Sequence, residues 1–326
     1  MTVMKVAQEY WRRNEAFRIA REITTGADLL KVEISSEGCT GRGECCPTRH
    51  YGETVDSVIG QIESVRDRIE AGAGRRDLHA LLPAGAARNA LDCALWDLEA
   101  KQSRTRAWSL AGLSAPKPIL TAYTLGIDTP AAMGERARRN AFRPLLKIKL
   151  GDRGDLDRVA AVRAGAPHSR LIVDANEAWT IAALRENAPQ LAVLGVELVE
   201  QPLPANADDE LADYDSPVPL CADESCHTSA DVDAVRAKYQ FVNIKLDKTG
   251  GLTEALALAE TARRAGLGLM VGCMSSTSLG IAPALLVAGM CQFVDLDAPL
   301  LQAEDRRPGL VYEGSLIQPA GEDLWG

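Results

Sequence analysis

Residues 145–150 read LLKIKL and residues 171–176 read LIVDAN, two short apolar runs of the kind that forms buried β-strands. Such runs recur from Ile119 onward, and they are ILTAYTLG, LLKIKL, LIVDAN, VELVEQ, PLCADE, FVNIKL, GLMVGC and FVDLDA. From the second run on, equivalent positions follow each other at intervals of 22 to 27 residues. Such an interval holds one strand, one helix and two loops.

The segments between the runs have the spacing of amphipathic helices. Apolar residues three and four positions apart occur between residues 252 and 262, and again between residues 181 and 194, where Pro189 weakens the pattern. Strand and helix alternating eight times in about 180 residues predict an α/β fold with a closed parallel barrel, because (β/α)8 closure needs that number. An open, doubly wound sheet is the alternative.

The first part of the chain lacks this period. Two β-like stretches, at residues 5–10 and 29–34, precede a helical block at residues 54–111, in which an apolar stripe from Ala86 to Leu98 indicates a packing helix. We therefore predict an α+β capping domain over residues 1–115 and a barrel over residues 116–299. The C-terminal segment, residues 300–326, is predicted to return to the cap.

Composition excludes several classes of partner. The net charge is −9 and the isoelectric point is near 5.1, so no basic surface is available for nucleic acid. No segment approaches the about 18 apolar residues of a membrane span, and charged residues interrupt the start of the chain where a signal peptide would be apolar. We expect a soluble, cytoplasmic protein whose eight cysteines, which lack paired metal-ligand spacing, are reduced.

Acidic residues follow the apolar runs at the carboxyl ends of the strands, where active sites of such barrels are built. Asp174, Glu200 and Asp223 end the third, fourth and fifth runs and are therefore expected on neighbouring strands. Three carboxylates brought together repel each other unless a cation holds them. Oxygen ligands without His or Cys favour Mg²⁺ over zinc. The sequence predicts a magnesium site, with three unrelated helix-capping acids as the alternative.

Lysines flank this predicted metal site. Lys147 and Lys149 are two residues apart, so they share one side of their strand and need acidic partners if that side faces the barrel interior. Of the charged residues after the sixth run, Lys245 alone needs to enter the barrel. Strands two and six are opposite in a ring of eight. We expect Lys149 and Lys245 to act as two bases, with a pKa lowered by a cation or by partial burial.

The eighth run supplies a further pair of acids. Asp295 and Asp297 share one face of their strand, beyond the expected reach of the metal, and are expected to hold a cationic group of the substrate. A solvated strand end is the alternative. Gly250-Gly251 lacks a phosphate-loop pattern and is interpreted as a tight turn. The four histidines lack metal-ligand spacing and are expected to be surface or packing residues.

The motifs LKIKL, VDAN, VEQP, ADES, NIKLDKTGGL, VGCM and DLDAP together resemble the muconate-lactonizing subgroup of the enolase superfamily, and within it the dipeptide epimerases. The resemblance extends from the cap segment AARNALDCALWDLEA to DLDAP. It implies a (β/α)7β barrel with an α+β cap. It also implies an isomerase that inverts the Cα of the second residue of a dipeptide, such as L-Ala-D-Glu or L-Ala-L-Glu, by two-base proton transfer through a Mg²⁺-stabilised ene-diolate.

The resemblance also implies roles for individual residues. The two lysine bases and the three carboxylate ligands are those named above. Lys147 would neutralise the carboxylate of the substrate, and Thr124 would contact the substrate. The pair Asp295-x-Asp297 would bind the free ammonium group of the dipeptide. Arg21 is the candidate in the cap for the distal carboxylate of a glutamate residue.

One motif departs from the family pattern. Many relatives carry Glu after VGCM, where this chain has Ser276 in the run SSTS at residues 275–278, and we expect this difference to alter substrate range more than chemistry. N-acylamino-acid racemase, cycloisomerase and o-succinylbenzoate synthase activities remain alternatives, although none of them needs the Asp295-x-Asp297 pair. A non-catalytic binding protein would not need opposed bases. The family role would be murein peptide recycling, and a homo-oligomer is left open.

Overall fold

A computed structural model describes residues 1–151 and 153–326 of the chain. The cap begins with an antiparallel sheet of order β1-β2-β3, in which β1 and β2 form a long hairpin. Helices follow the sheet. The elements of the cap are β1 (Val3–Arg18), β2 (Ile23–Ser36), β3 (Cys39–Cys45), α1 (Val55–Ser64), α2 (Arg66–Glu70), α3 (Leu78–Leu81), α4 (Ala86–Ser103) and α5 (Ala107–Leu110).

The rest of the chain alternates strands and helices. The elements are β4 (Ile119–Leu120), β5 (Tyr123–Leu125), α6 (Pro130–Arg139), β6 (Leu145–Lys149), α7 (Asp155–Gly165), β7 (Arg170–Asp174), α8 (Ile181–Val193), β8 (Val196–Glu200), β9 (Leu220–Ala222), α9 (Val232–Val235), β10 (Phe241–Ile244), α10 (Leu246–Thr249), α11 (Leu252–Arg264), β11 (Gly268–Gly272), α12 (Ser278–Ala288), β12 (Phe293–Asp295), β13 (Tyr312–Glu313) and β14 (Leu316–Ile317). Within the described residues, β5 to β12 form an eight-stranded parallel sheet in chain order. The predicted barrel fold is confirmed.

The ring closes between the first and last strands of this sheet. The backbone N–H of Ala122 donates to the carbonyl of Val294 at 2.8 Å, and the hydroxyl of Thr121 accepts from the backbone N–H of Leu296 at 2.8 Å. The run ILTAYTLG was predicted as one barrel strand. It divides instead, because β4 pairs with the C-terminal strand β14 and β5 alone joins the barrel.

The pleat of β6 decides which side chains enter the barrel. Leu146 and Ile148 pack in the large core beneath the helices, whereas Leu145 packs in a separate inner cluster with residues from the other strands, such as Ile172 and Met270. Since side chains alternate along a strand, Lys147 and Lys149 face the same side as Leu145. Both lysines therefore point into the barrel, as the sequence predicts.

Helix α4 docks the cap onto the barrel. Arg88 and Asp92 are buried on this helix, and they bond to the end of α10 and the start of α11. Arg88 donates to the carbonyls of Thr249 and Gly250, and Asp92 accepts from Thr253. A Cβ atom on Gly250 would lie 2.4 Å from Arg88. The double glycine forms the predicted turn, and it also permits this close approach.

The C-terminal segment contacts both parts of the molecule. Strand β14 pairs with β4, and the indole N–H of Trp325 donates to the carbonyl of Cys93 on α4 at 3.0 Å. Arg306 lies 2.6 Å from the buried carboxylate of Glu44 in β3. In the described part of the chain, no helix is both long enough and apolar enough to cross a membrane.

Candidate active site

The carboxyl ends of the barrel strands carry a row of buried acids. The strand register aligns Asp174 at the end of β7 with Glu200 at the end of β8, and Asp223 directly follows β9. All three are buried. Glu200 is oriented by Asn243 on β10, whose side-chain amide donates to Glu200 Oε1 at 2.7 Å. The structure thus brings the three predicted carboxylates to one edge of the sheet.

Two lysines from β6 contact this row from one side. Lys149 Nζ lies 2.6 Å from Asp174 Oδ2. Lys147 Nζ lies 2.6 Å from Glu200 Oε2 and 3.2 Å from Asp174 Oδ2. Lys147 is fully buried, so its ammonium group depends on these carboxylates for solvation.

Two further lysines contact the other end of the row. Lys245 Nζ lies 2.5 Å from Asp223 Oδ2, and Lys248 Nζ lies 2.7 Å from Asp223 Oδ1. Lys248 is buried and also donates to the carbonyls of Cys226 and Asn243. The contact of Lys248 with Asp223 was not predicted from the sequence, because the short helix α10 returns this lysine to the same strand end.

These contacts shift the ionisation of the acids in opposite directions. Burial acts to raise the pKa of Asp174, but the neighbouring lysines hold it well below its usual range. Burial, followed by repulsion from Asp174, raises the pKa of Glu200 to about 7. Burial acts to lower the pKa of Lys245, but Asp223 and Glu200 raise it well above its usual range. For Lys245, the contacts with the acids therefore act against the predicted lowering of its pKa.

The donor atoms of the row suit a divalent cation. Glu200 Oε2 and Asp223 Oδ1 are buried and, among the described residues, accept no hydrogen bond of good geometry, although a lysine ammonium lies within 2.7 Å of each. All the donors are carboxylate oxygens, the ligands that Mg²⁺ prefers. The donor set therefore fits Mg²⁺, with the lysines as the cations that now contact it.

Asp295 and Asp297 lie beside Thr124 on the other side of the ring. Asp295 Oδ2 lies 2.7 Å from Lys147 Nζ, and the hydroxyl of Thr124 donates to Asp295 Oδ1 at 3.2 Å. The backbone N–H of Thr124 donates to Asp297 Oδ2 at 2.6 Å. Burial and the charge of Asp295 raise the pKa of Asp297 to about 7. Of these two acids, Asp295 forms an ion pair with Lys147, whereas Asp297 forms none within the described residues.

The turn of the β1–β2 hairpin places Arg21 over the barrel rim. Its Nη1 donates to the carbonyl of Asn176 at 3.1 Å and lies 3.0 Å from Glu177 Oε2. Its Nη2 lies 2.8 Å from Glu224 Oε1. The side chain thus spans the loops that follow β7 and β9, next to the acidic row.

Glu177, Glu224 and His50 form a cluster around Arg21 that the sequence did not predict. His50 Nε2 lies 2.8 Å from Glu177 Oε2. Among the described residues, these three are the one group of His, Cys, Asp or Glu side chains whose possible metal-ligand atoms all lie within 4.8 Å of one another. Burial, followed by repulsion from Asp223, raises the pKa of Glu224 to about 7. Arg21 already supplies this cluster with a positive charge.

Two family profiles match the chain. "Mandelate racemase / muconate lactonizing enzyme, N-terminal domain" matches residues 1–112, and "Enolase C-terminal domain-like" matches residues 131–312. The chain belongs to the enolase superfamily. The superfamily predicted from the motifs is therefore confirmed.

Relatives within the superfamily cover nearly the whole chain. The L-Ala-D/L-Glu epimerase of Escherichia coli K12 is 46% identical over 314 residues, which are 96% of this chain and 98% of that protein. The N-acetyl-D-glutamate racemase of a Pseudoalteromonas species is 44% identical over 302 residues, which are 91% of this chain and 95% of that protein.

Solved structures agree with this relationship. A crystal structure of an enolase family member from Agrobacterium tumefaciens, described as homologous to dipeptide epimerases and as holding sodium and L-Ala-L-Glu, superimposes with a TM-score of 0.99. It is 48% identical to this chain, and the match covers 100% of both chains. Other enolase-fold relatives, 26–31% identical, are dipeptide epimerases complexed with Mg and a dipeptide.

Proposed function

We propose that the chain is a dipeptide epimerase that interconverts L-Ala-D-Glu and L-Ala-L-Glu. The observation that carries the proposal is the placement of Lys149 and Lys245 on β6 and β10, four strands apart in a ring of eight, at the two ends of the acidic row. Two amines so placed can serve opposite faces of one carbon. A protein that only binds its ligand needs neither.

We assign Mg²⁺ to Asp174, Glu200 and Asp223. When bound, Mg²⁺ would supply positive charge for the substrate carboxylate and so stabilise the negative charge that develops as the α-proton leaves. The carboxylate donors, two of whose buried oxygens lack a well-formed hydrogen bond within the described residues, support this assignment. Neutralising the row also removes the charge that raises the pKa of Lys245, so its amine loses a proton more readily.

Three of the lysines that contact the acidic row have different roles. Lys149 removes or returns the α-proton on one face, and Lys245 does so on the other. Burial acts to lower the pKa of Lys147, but Asp295 and Glu200 hold it well above its usual range. Lys147 therefore stays charged and serves as a fixed positive charge for the substrate carboxylate.

Three other residues orient the dipeptide. Asp297, buried and without an ion pair in the described chain, accepts the free ammonium group, and Thr124 beside it contacts the substrate. Arg21 binds the distal carboxylate of the second residue, since its guanidinium lies on the opposite side of the rim, between the loops after β7 and β9. The substrate thus spans the rim with its α-carbon between the two lysines.

N-acylamino-acid racemisation is the second candidate, because one of the relatives named above has that activity. The same lysines and carboxylates could perform it. The buried acid Asp297 favours the dipeptide, because an N-acyl group carries no positive charge to compensate it.

We also place this reaction in the cytoplasm, in the salvage of murein peptides. All eight cysteines lie in the described part of the chain and are free, which suits a reducing compartment. An epimerase acting on L-Ala-D-Glu would make the cell-wall dipeptide available as an ordinary L,L-dipeptide.

The test is α-proton exchange in D₂O, followed by NMR with Mg²⁺ present, for L-Ala-L-Glu, L-Ala-D-Glu and N-acetyl-L-glutamate. We expect each dipeptide to give both diastereomers. Its kcat/KM should exceed that of N-acetyl-L-glutamate by about tenfold or more. A higher kcat/KM for the N-acyl compound would instead make the chain a racemase, and no exchange with any of the three would reject both functions.

A further inference from the structure

Arg13 is a cation of the cap hairpin without an acidic partner. The residue is half-buried on β1, and its guanidinium lies 4.8 Å from the ring centre of Phe17. Its Nε donates to the hydroxyl of Thr24 at 3.0 Å, and its Nη2 donates to the hydroxyl of Ser275 at 2.7 Å. Across residues 1–151 and 153–326, it makes no ion pair.

Among the arginines that join the cap to the barrel, Arg88 also lacks an acidic partner within the described residues and donates to backbone carbonyls, whereas two others are ion-paired. Arg21 pairs with two glutamates, and Arg306 pairs with two others. Burial lowers the pKa of the Arg13 guanidinium, and the negative charges around it, Asp297 among them, do not restore it. A partly desolvated guanidinium that is bonded to hydroxyls alone would gain a strong hydrogen bond from an anionic ligand.

Arg13 and Arg21 lie over different halves of the barrel rim. Arg21 contacts the loops after β7 and β9. Arg13 contacts Ser275 in the loop after β11, and its backbone forms a bridge with Gln302, which lies shortly after Asp297. The hairpin therefore places Arg13 and Arg21 near opposite ends of the proposed dipeptide site.

We propose that Arg13 selects the side chain of the first residue of the dipeptide, favouring an acidic side chain and disfavouring a basic one. The inference rests on the proposed function, with the ammonium group at Asp297 and the second side chain at Arg21. In that orientation the first side chain extends to the β11–β12 side of the rim, beside Ser275. Aspartate or glutamate there gains a charge-assisted hydrogen bond from Arg13, whereas lysine is repelled.

The wild-type protein tests this selectivity directly with L-Glu-L-Glu, L-Ala-L-Glu and L-Lys-L-Glu, which differ in the first residue alone. Rates of α-proton exchange at the second residue give kcat and KM for each. We expect kcat/KM to fall in that order, with roughly a hundredfold difference between the first and the last, mainly in KM. Equal values, or a preference for lysine, would overturn the inference.

Variants then assign the selectivity to one side chain. Arg13→Gln should reduce the ratio of kcat/KM between L-Glu-L-Glu and L-Lys-L-Glu to roughly threefold or less, and Arg13→Lys should retain most of it because the charge remains. Arg12→Gln is the matched control, since it removes the same charge from the neighbouring, exposed position on β1. Its ratio should equal that of the wild type.

The outcomes separate this inference from the function on which it rests. Exchange with L-Ala-L-Glu but without discrimination by first residue would leave the epimerase intact and reject the role of Arg13. A loss of kcat/KM in Arg13→Gln that is equal for all three dipeptides would show that Arg13 only fastens the hairpin, and would also reject it. Absence of exchange with every dipeptide would reject the epimerase itself.

Discussion

The barrel rim and the cap hairpin carry charge in different ways. At the rim, the acids are buried, the lysines are buried or half-buried, and the two contact one another at 2.5–3.2 Å, so their positions are fixed by mutual pairing. On the hairpin, Arg13 and Arg21 keep partial exposure and reach the barrel through its loops. A fixed rim suits proton transfer, which needs constant geometry, while a hairpin of extended strands can change its side chains without disturbing the rim.

Removal of the metal should reduce the epimerisation rate more than any single substitution. Chelation of divalent ions is expected to reduce epimerisation by at least about a thousandfold, because the charge that develops on the carboxylate loses its main compensation. Added Mg²⁺ should restore the rate. Exchange of the α-proton, measured by NMR in D₂O before and after metal replacement, checks this. Full activity in a metal-free preparation would contradict the assignment of Asp174, Glu200 and Asp223.

Separate replacement of the two lysines should stop epimerisation but leave proton exchange on one face of the α-carbon. Lys149→Ala and Lys245→Ala are each expected to lower epimerisation by roughly 10²–10⁴-fold, the usual contribution of a general base. Each variant should still exchange the α-proton of the one epimer that faces the remaining lysine. The measurement is deuterium incorporation for each variant with each pure epimer.

The pattern of exchange decides between one base and two. Two bases give one positive and one negative result per variant, and the epimer that exchanges is opposite in the two variants. If either variant exchanged both epimers, or epimerised at a rate near that of the wild type, a single-base mechanism would replace the assignment of Lys149 and Lys245.

The positions of the rim acids could be predicted from the sequence because barrel strands impose a regular position on polar residues. Asp174, Glu200 and Asp223 each follow an apolar run, and the strand period carries them to one edge. The same rule could not find Lys248, since its position depends on the short helix α10 and not on strand alternation. Nor could it show that ILTAYTLG divides between two sheets, because the pairing of β4 with β14 joins distant segments.

The cap was harder to predict because its contacts with the barrel join distant parts of the chain. Strand β3 reads CTGRGEC and has too few apolar residues to show alternation, so only two of the three cap strands were expected. The cluster of His50, Glu177 and Glu224 draws on one cap residue and two barrel loops. Arg13 follows another arginine on an extended strand, and only its contacts in the folded protein, such as the one with Ser275, distinguish it from a solvated residue.

Loss of Arg21 should separate substrate recognition by the hairpin from proton transfer at the rim. The hairpin then loses its selectivity for the distal carboxylate, while the rim residues still transfer protons. For Arg21→Met, we expect kcat/KM with L-Ala-L-Glu to fall roughly tenfold to hundredfold, and to change much less with L-Ala-L-Gln, which has no distal charge. Arg12→Met is the control for loss of charge on the hairpin. An equal fall with both dipeptides would assign Arg21 to closure of the hairpin and not to recognition.

The smallest effect on catalysis should come from the joint between cap and barrel. Gly251 has a φ of 111°, and a Cβ atom there would lie 2.5 Å from Cβ of Asp92 on α4. Gly251→Ala is therefore expected to lower the free energy of unfolding by about 3 kcal/mol, through backbone strain and displacement of a buried helix.

Gly60→Ala, at an exposed position in α1 with open space around it, should instead be neutral or stabilise by up to about 1 kcal/mol. Urea unfolding of both variants gives the comparison. The ratio of kcat/KM for L-Ala-L-Glu over L-Ala-L-Gln should stay at the wild-type value in folded Gly251→Ala, since neither Arg13 nor Arg21 contacts this joint. Equal unfolding free energies for the two variants would show that α4 can shift freely on the barrel, and a changed ratio would show that the hairpin takes its position from this joint.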